Sequence, residues 1–192
     1  TNRYGDFLDI ACAISGRAPD YGLHRTENRR ATVVFDLSHV DQKFLHSDVA
    51  WPVLGNLYGR LIGDAVGVIT GLAFRPWEDI LKAFGATAAS TGSVGLFHVA
   101  GATPEAPDEA TARHNTPAHE RIIVTNEMLL DAQTRLSTAD RADRVDAVAI
   151  GSPHLSVEEF DSLRRLLAGR KIAVPLYACT GRHVLGLGVP QV

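Results

Sequence analysis

Apolar positions along the chain alternate between two periods. Over residues 4–16, "YGDFLDIACAISG" gathers Phe7, Leu8, Ile10, Ala11 and Ile14 on one broad face and ends in glycine. That spacing predicts a helix closed by a left-handed glycine cap. "ATVVFDLS" is short and β-branched, which predicts a strand over 32–36. "WPVLGNLYGRLIGDAV" returns to helical spacing despite Gly55, Gly59 and Gly63, and the "GVIT" that follows reads as a buried strand. "RPWEDILKAFGATAAS" predicts a further helix, with Pro76 and Glu78 near its start and Gly85 as its break or end.

The second half continues in the same way. "SVGLFHVAG" predicts a strand over 94–98 and "RIIVT" another. Between them, residues 101–118 are rich in Pro, Ala, Thr and charge, the composition of a lid, a binding loop or a disordered segment. "NEMLLDAQTRLST" predicts a helix capped by Thr125 or Asn126. "VDAVAIG" predicts a strand over 146–150. "SVEEFDSLRRLLAG" predicts a helix with Ser156 and Glu159 at capping-box spacing. "IAVPLYACTG" closes the series with a strand over 174–178.

Strands alternating with helices require crossover connections, so the expected fold is α/β: three layers around a mostly parallel sheet. Ligands of such sheets bind beyond the carboxyl ends of the strands. Three stretches fall there, "HVAG", "GSPH" and "CTGR", each joining polar or reactive residues to a glycine.

Composition narrows the function. At 192 residues the chain supports one large domain or two small ones. A net charge of −3 gives no basic footprint for nucleic acid or an anionic membrane. The apolar runs are far shorter than a bilayer span. The two cysteines, Cys12 and Cys179, lie at opposite ends of the sequence and make no disulfide framework. Free thiols in a reducing cytoplasm are expected.

The sequence holds no GxxxxGK[ST], GxGxxG, HExxH, CxxC or GxSxG motif. Cys179 in "ACTGR" suits a small packed side chain or, beside Arg182, a thiolate ligand for a metal or cluster. Cys12 reads as packing. His98 and His154 end or follow predicted strands, and His24 lies in "YGLHRTENRR"; each fits a structural or a functional role. Arg3, Arg29 and Arg182 supply forks suited to a carboxylate, and Asn2 stands beside the first of them.

Six stretches, "TNRYGDFLDI", "AISGRAPDYGLHRTENRRATVVFD", "PVLGNLYGR", "LFHVAGATPEAP", "GSPHLSVEEF" and "YACTGRHV", together resemble the aconitase X family of dehydratases, in the family's order and across nearly the whole chain. The "RYGDFLDI" form resembles the bacterial branch, that of cis-3-hydroxy-L-proline dehydratase; another branch handles mevalonate 5-phosphate. The resemblance implies an aconitase-like catalytic region that eliminates water from a small hydroxy acid with an iron–sulfur or iron centre. It implies substrate-carboxylate binding by Asn2, Arg3 and Arg182, cluster ligation by Cys179, and catalytic positions for His98 and His154. Ser152 stands where some relatives carry Cys, which argues against a metal role at that position.

The resemblance further implies that this chain is the central part of a catalytic subunit. A cluster-bearing N-terminal segment, a C-terminal segment and a swivelling domain, fused or in a small subunit, would lie elsewhere, and that domain would supply a serine base. On this expectation the chain alone holds no cluster and is inactive. The alternative is a truncated α/β unit that serves as structure only.

Overall fold

A computed structural model describes residues 7–138 and 144–187, and the expected alternation is present in two compact units, Thr1–Leu136 and Ser137–Val192. The first begins with α1 (Leu8–Ser15), whose final carbonyls are closed by Gly16 at φ 65°, its N–H donating to the Cys12 carbonyl at 2.9 Å. No side chain of α1 is buried. Two 3₁₀ turns, Gly22–His24 and Thr26–Arg29, lead into β1 (Val33–Asp36), α2 (Gln42–Leu45), α3 (Ala50–Ile62) and β2 (Gly67–Thr70). Then come α4 (Glu78–Thr91), β3 (Phe97–Val99), α5 (Glu109–Ala112), β4 (Glu120–Ile123) and α6 (Asn126–Leu136).

The four strands form one parallel sheet in the order β3-β2-β1-β4. β1 and β2 are its inner strands and bury residues on both faces, which is why their sequences are continuously apolar rather than alternating. Val33, Phe35 and Ile69 join the side chains of α3, α4 and α6 in the larger core. Val34 and Val68 point to the other face, where they meet Ala31, Ala106 and Ala112. That third layer is thin, made of short turns and residues near α5 rather than long helices.

Several expectations are corrected here. Of the alternatives for residues 101–118, the disordered one is set aside: Asp108 caps α5 by accepting the Thr111 N–H at 2.7 Å, and Ala106 and Ala112 are fully buried. Their small side chains let the segment lie flat against the sheet. Gly85 neither breaks nor ends α4, which continues to Thr91. A β-carbon at Gly85 would stand 3.2 Å from the Phe97 ring, so the glycine makes room for that ring beside Phe84, centroid to centroid 4.7 Å. β3 begins at Phe97 rather than residue 94 because its partner strand begins at Gly67, directly opposite.

α3 is buried along most of its length. Trp51 donates from Nε1 to the Leu45 carbonyl at 2.8 Å, and the Tyr58 hydroxyl accepts the Gly67 N–H at 3.0 Å. Burial pushes the Tyr58 phenol far up, so it stays neutral, and Phe35 and Phe84 meet it edge-on at 5.2 and 5.1 Å. α4 crosses α3 where α3 has no side chains. A β-carbon at Gly55 would overlap the Phe84 carbonyl oxygen and the Thr87 hydroxyl, and one at Gly59 would stand 2.5 Å from the Ala88 carbonyl oxygen.

An ion network ties β4 to β1. Arg121 donates to Asp36 Oδ2 at 2.9 Å and to both oxygens of Glu109 at 2.7 and 2.9 Å. Burial pushes the Asp36 carboxyl up, but the Ser38 N–H at 2.9 Å and the Arg121 guanidinium outweigh it and hold the group below the usual carboxylate range.

The second unit contains β5 (Val148–Ile150), α7 (Val157–Leu167), β6 (Leu176–Ala178) and α8 (Arg182–Gly186). β5 and β6 pair in parallel as a separate two-stranded sheet. The six strands expected from the sequence are all present, but they belong to two sheets rather than one. The predicted capping box is formed: Ser156 Oγ accepts the Glu159 N–H at 3.1 Å and Glu159 Oε2 accepts the Ser156 N–H at 2.8 Å.

Gly55→Ala is expected to destabilise the first unit by about 1–3 kcal/mol, the cost of overpacking against backbone that cannot yield. Urea denaturation measures it, and an unchanged midpoint would show that α4 can move away. Asp36→Asn tests the ion network. Because the folded Asp36 value is depressed, its stabilisation is complete above the unfolded value of about 3.9 and is lost as pH falls through the folded one. The stability gap between wild type and Asp36→Asn should therefore be constant near neutrality and shrink below about pH 4. A gap that stays constant to pH 2 would contradict this.

Candidate active site

The densest meeting of candidate residues is at the carboxyl edge of β5 and β6. β5 runs into "GSPH" and β6 into "CTGR", and the parallel pairing sets the two turns side by side. The Cys179 N–H donates to the Ile150 carbonyl at 2.9 Å, and the Cys179 carbonyl accepts the Leu155 N–H at 3.0 Å. Thr180 Oγ1 donates to the Leu155 carbonyl at 2.6 Å. Gly151, at φ 100°, lies so near that a β-carbon there would overlap the Cys179 backbone. The Ser152–Pro153 peptide is cis.

With its backbone held by these bonds, Cys179 presents an exposed, free thiol, and His154 is exposed on the neighbouring turn. Arg182 opens α8 three residues beyond the thiol and is also exposed. This edge therefore offers a thiol, an imidazole and a guanidinium on two short turns. Among the described residues no three His, Cys, Asp or Glu side chains converge closely enough to hold a metal ion.

His98 is placed differently. It lies on β3, only 2% exposed, with Nε2 2.7 Å from the Arg29 carbonyl. A carbonyl can only accept, so Nε2 carries the proton and the imidazole ties the second 3₁₀ turn to the sheet. Arg29 is also committed within the fold. It donates to Glu105 at 2.9 Å, to the Leu23 and His24 carbonyls at 3.2 Å and to Thr26 at 3.2 Å. It is therefore no free fork for a carboxylate, a correction to the sequence reading. Cys12 is half-buried and free. Asn2 and Arg3 lie outside the described residues.

The structure also reveals bridges between loops that the sequence did not predict. At the carboxyl edge of the first sheet, the Gln42 amide donates to the Gly71 carbonyl at 3.1 Å and accepts the Ala73 N–H at 2.9 Å, joining the loops after β1 and β2. Asn126 Oδ1 accepts the Asp41 N–H at 3.0 Å, joining the loops after β1 and β4. A solitary amide between elements carries no periodic signal, so only the folded chain shows these bridges. Surface grooves of ≈ 240 and ≈ 350 Å³ flank α6, and neither includes His98, His154, Cys179 or Arg182.

Comparison with known proteins follows this division. Residues 31–134 match the family model of the aconitase X second domain, and residues 145–188 that of the aconitase X third domain. The chain is 44% identical over 175 residues to cis-3-hydroxy-L-proline dehydratase of Pseudomonas aeruginosa, covering 89% of this chain and 29% of that protein. It is 39% identical over 188 residues to the phosphomevalonate dehydratase large subunit of Methanothermobacter thermautotrophicus, covering 96% of this chain and 43% of that protein. The crystal structure of Thermococcus kodakaraensis aconitase X in its holo-form matches with a TM-score of 0.78 at 34% identity, over 97% of this chain and 46% of that one. The chain spans less than half the length of each of these relatives.

Proposed function

Since the chain belongs to the aconitase X family, we propose that it forms the central part of a dehydratase acting on a small hydroxy acid, cis-3-hydroxy-L-proline. The observation that carries the substrate is the 44% identity to a cis-3-hydroxy-L-proline dehydratase, against 39% to a phosphomevalonate dehydratase large subunit. The second reading, mevalonate 5-phosphate, draws on the fuller coverage by that large subunit. Its name also supports a small-subunit partner for the complete enzyme. Among the described residues no helix is long and apolar enough to cross a membrane. The free thiols suit a cytoplasmic setting.

The reaction removes the proton on the carbon beside the carboxylate and breaks the carbon–oxygen bond one carbon further on. The electron pair left by the proton becomes the double bond of a pyrroline-2-carboxylate, and the hydroxyl leaves as water. Elimination needs the carboxylate held rigidly, because small misplacements cost orders of magnitude in rate. In this reading Arg182, with Asn2 and Arg3, grips that carboxylate by paired N–H donors, and His154 contacts the reacting groups from the "GSPH" turn. His98 acts at one remove, by holding the Arg29 carbonyl. Cys179 is the thiolate that this chain offers to an iron or iron–sulfur centre whose other ligands come from outside the described residues. Such a centre supplies Lewis acidity.

The complete reading frame, expressed anaerobically, is expected to dehydrate cis-3-hydroxy-L-proline and to leave mevalonate 5-phosphate unchanged; the reverse preference would establish the second reading. In that enzyme Arg182→Lys should lower kcat/KM on the order of a hundredfold, because an ammonium cannot reproduce the bidentate contact. A near-normal rate would place Arg182 outside the site. Iron analysis tests the thiolate: Cys179→Ser should lose bound iron, and full retention would remove Cys179 from the ligand set.

A further inference from the structure

Where α5 meets β1 and β4, three guanidiniums and two carboxylates lie along one chain of contacts. Arg121 takes Asp36 Oδ2 and both oxygens of Glu109. Arg113 Nε stands 3.2 Å from Glu109 Oε1, within ion-pair range, but it is buried and makes no hydrogen bond. Arg113 Nη1 donates to the Thr116 carbonyl, and the Thr116 hydroxyl donates to the Arg113 carbonyl at 2.7 Å. Arg30 Nη1 donates to that same hydroxyl at 2.7 Å. Thr116 thus holds two guanidiniums side by side.

The charges along this chain do not balance. Both carboxylates are hydrogen-bonded to Arg121, and no acidic side chain pairs with Arg30 among the described residues. A guanidinium cannot shed its proton, and two of them half-buried at one residue repel each other with little screening. The backbone is bent to bring them together. His114 and Asn115 have φ of 50° and 58°, and the Asn115 N–H donates to the Ala110 carbonyl at 2.8 Å. Left-handed backbone at residues other than glycine persists only where the surrounding structure imposes it, and it gathers at ligand clamps. Donors also remain on both forks, since Arg30 spends only Nη1 and Arg113 Nε has no hydrogen bond. One fork satisfies the two oxygens of a carboxylate; two adjacent forks match an anion with more oxygens and more charge.

We propose that Arg30 and Arg113 form a binding site for a phosphate group, free or as a monoester, with Thr116 spacing the two forks. The site lies at the amino edge of the first sheet, because Arg30 precedes β1 and Thr116 precedes β4. A bound phosphate group offsets the surplus positive charge and takes the donors that the fold leaves over.

Calorimetric titration of the complete enzyme with inorganic phosphate tests the proposal. Saturable binding is expected, and Arg30→Gln and Arg113→Gln should each weaken it about tenfold or more, the effect of losing a charge-assisted hydrogen bond. Arg30→Lys should restore it only in part, because an ammonium keeps the charge without the fork. Arg182→Lys should leave it unchanged. Phenyl phosphate titrated in parallel distinguishes the sources: tighter binding than inorganic phosphate assigns the site to an ester, weaker binding to the free ion. Arg113→Gln also removes contacts to Glu109 and Thr116; if it fails to fold, Arg30→Gln, which loses only the Thr116 hydroxyl, decides. Absence of saturable binding, or binding that Arg30→Gln leaves at full strength, would overturn the proposal. Acetate binding as tightly as phosphate would overturn the assignment to a phosphate group. None of these readouts is turnover, so the site stands or falls apart from the proposed dehydratase activity.

Discussion

The Tyr58 hydroxyl accepts the N–H of Gly67 at the first residue of β2, in a site where neither group can reach water. Much of the first unit is arranged around this bond. A β-carbon at Gly67 would stand 2.5 Å from the Tyr58 oxygen, so residue 67 has to be glycine for α3 to sit this close. α3 seated in this way brings Gly55 and Gly59 against α4, and α4 in turn sets Phe84 against the Tyr58 ring. Leaving the Gly67 N–H without its acceptor would cost about 1–3 kcal/mol, more than the net gain of an ordinary hydrogen bond. The buried phenol therefore fixes the register of helix on sheet as well as contributing to stability.

A sheet seated so firmly ends its strands at defined places, and the chemistry of an α/β protein collects where strands end. In the first unit those ends are occupied by internal bonds: Gln42 and Asn126 bridge loops, Asp36 binds Arg121, and His98 secures the Arg29 carbonyl. In the second unit they remain open to solvent. Cys179, His154 and Arg182 stand exposed on two turns joined by backbone bonds. The family models divide the chain at the same place.

Sequence alone reached the elements because each rests on local physics. Ser156 and Glu159 at capping-box spacing specified the start of α7, Gly16 the end of α1, and the unbroken apolar runs at 33–35 and 67–69 marked strands buried on both faces. Local rules misread Gly85, since the ring of Phe97 that occupies its open side comes from a strand twelve residues away. They left residues 101–118 open between an ordered and a disordered segment for a similar reason, because alanines look featureless until a sheet lies beneath them.

The sequence by itself determined the α/β alternation, the helix caps and the motifs that mark the family. It also placed Cys179, His154 and Arg182, like His98, at or just beyond strand ends, because the strand-end rule needs only the order of the elements; that the turns of the first three lie side by side came from the pairing of β5 with β6. Tertiary structure decided which polar groups are already spent. His98 and Arg29 carry the same functional groups as His154 and Arg182, and no sequence pattern separates the two pairs. The fold separates them by place: His98 is buried against the Arg29 carbonyl at 2.7 Å and Arg29 reaches across to Glu105 as well as to nearby Leu23, His24 and Thr26, whereas His154 and Arg182 stand exposed. Hydrogen-bond capacity is written in the residue type; whether it is still free depends on what folding brings within reach.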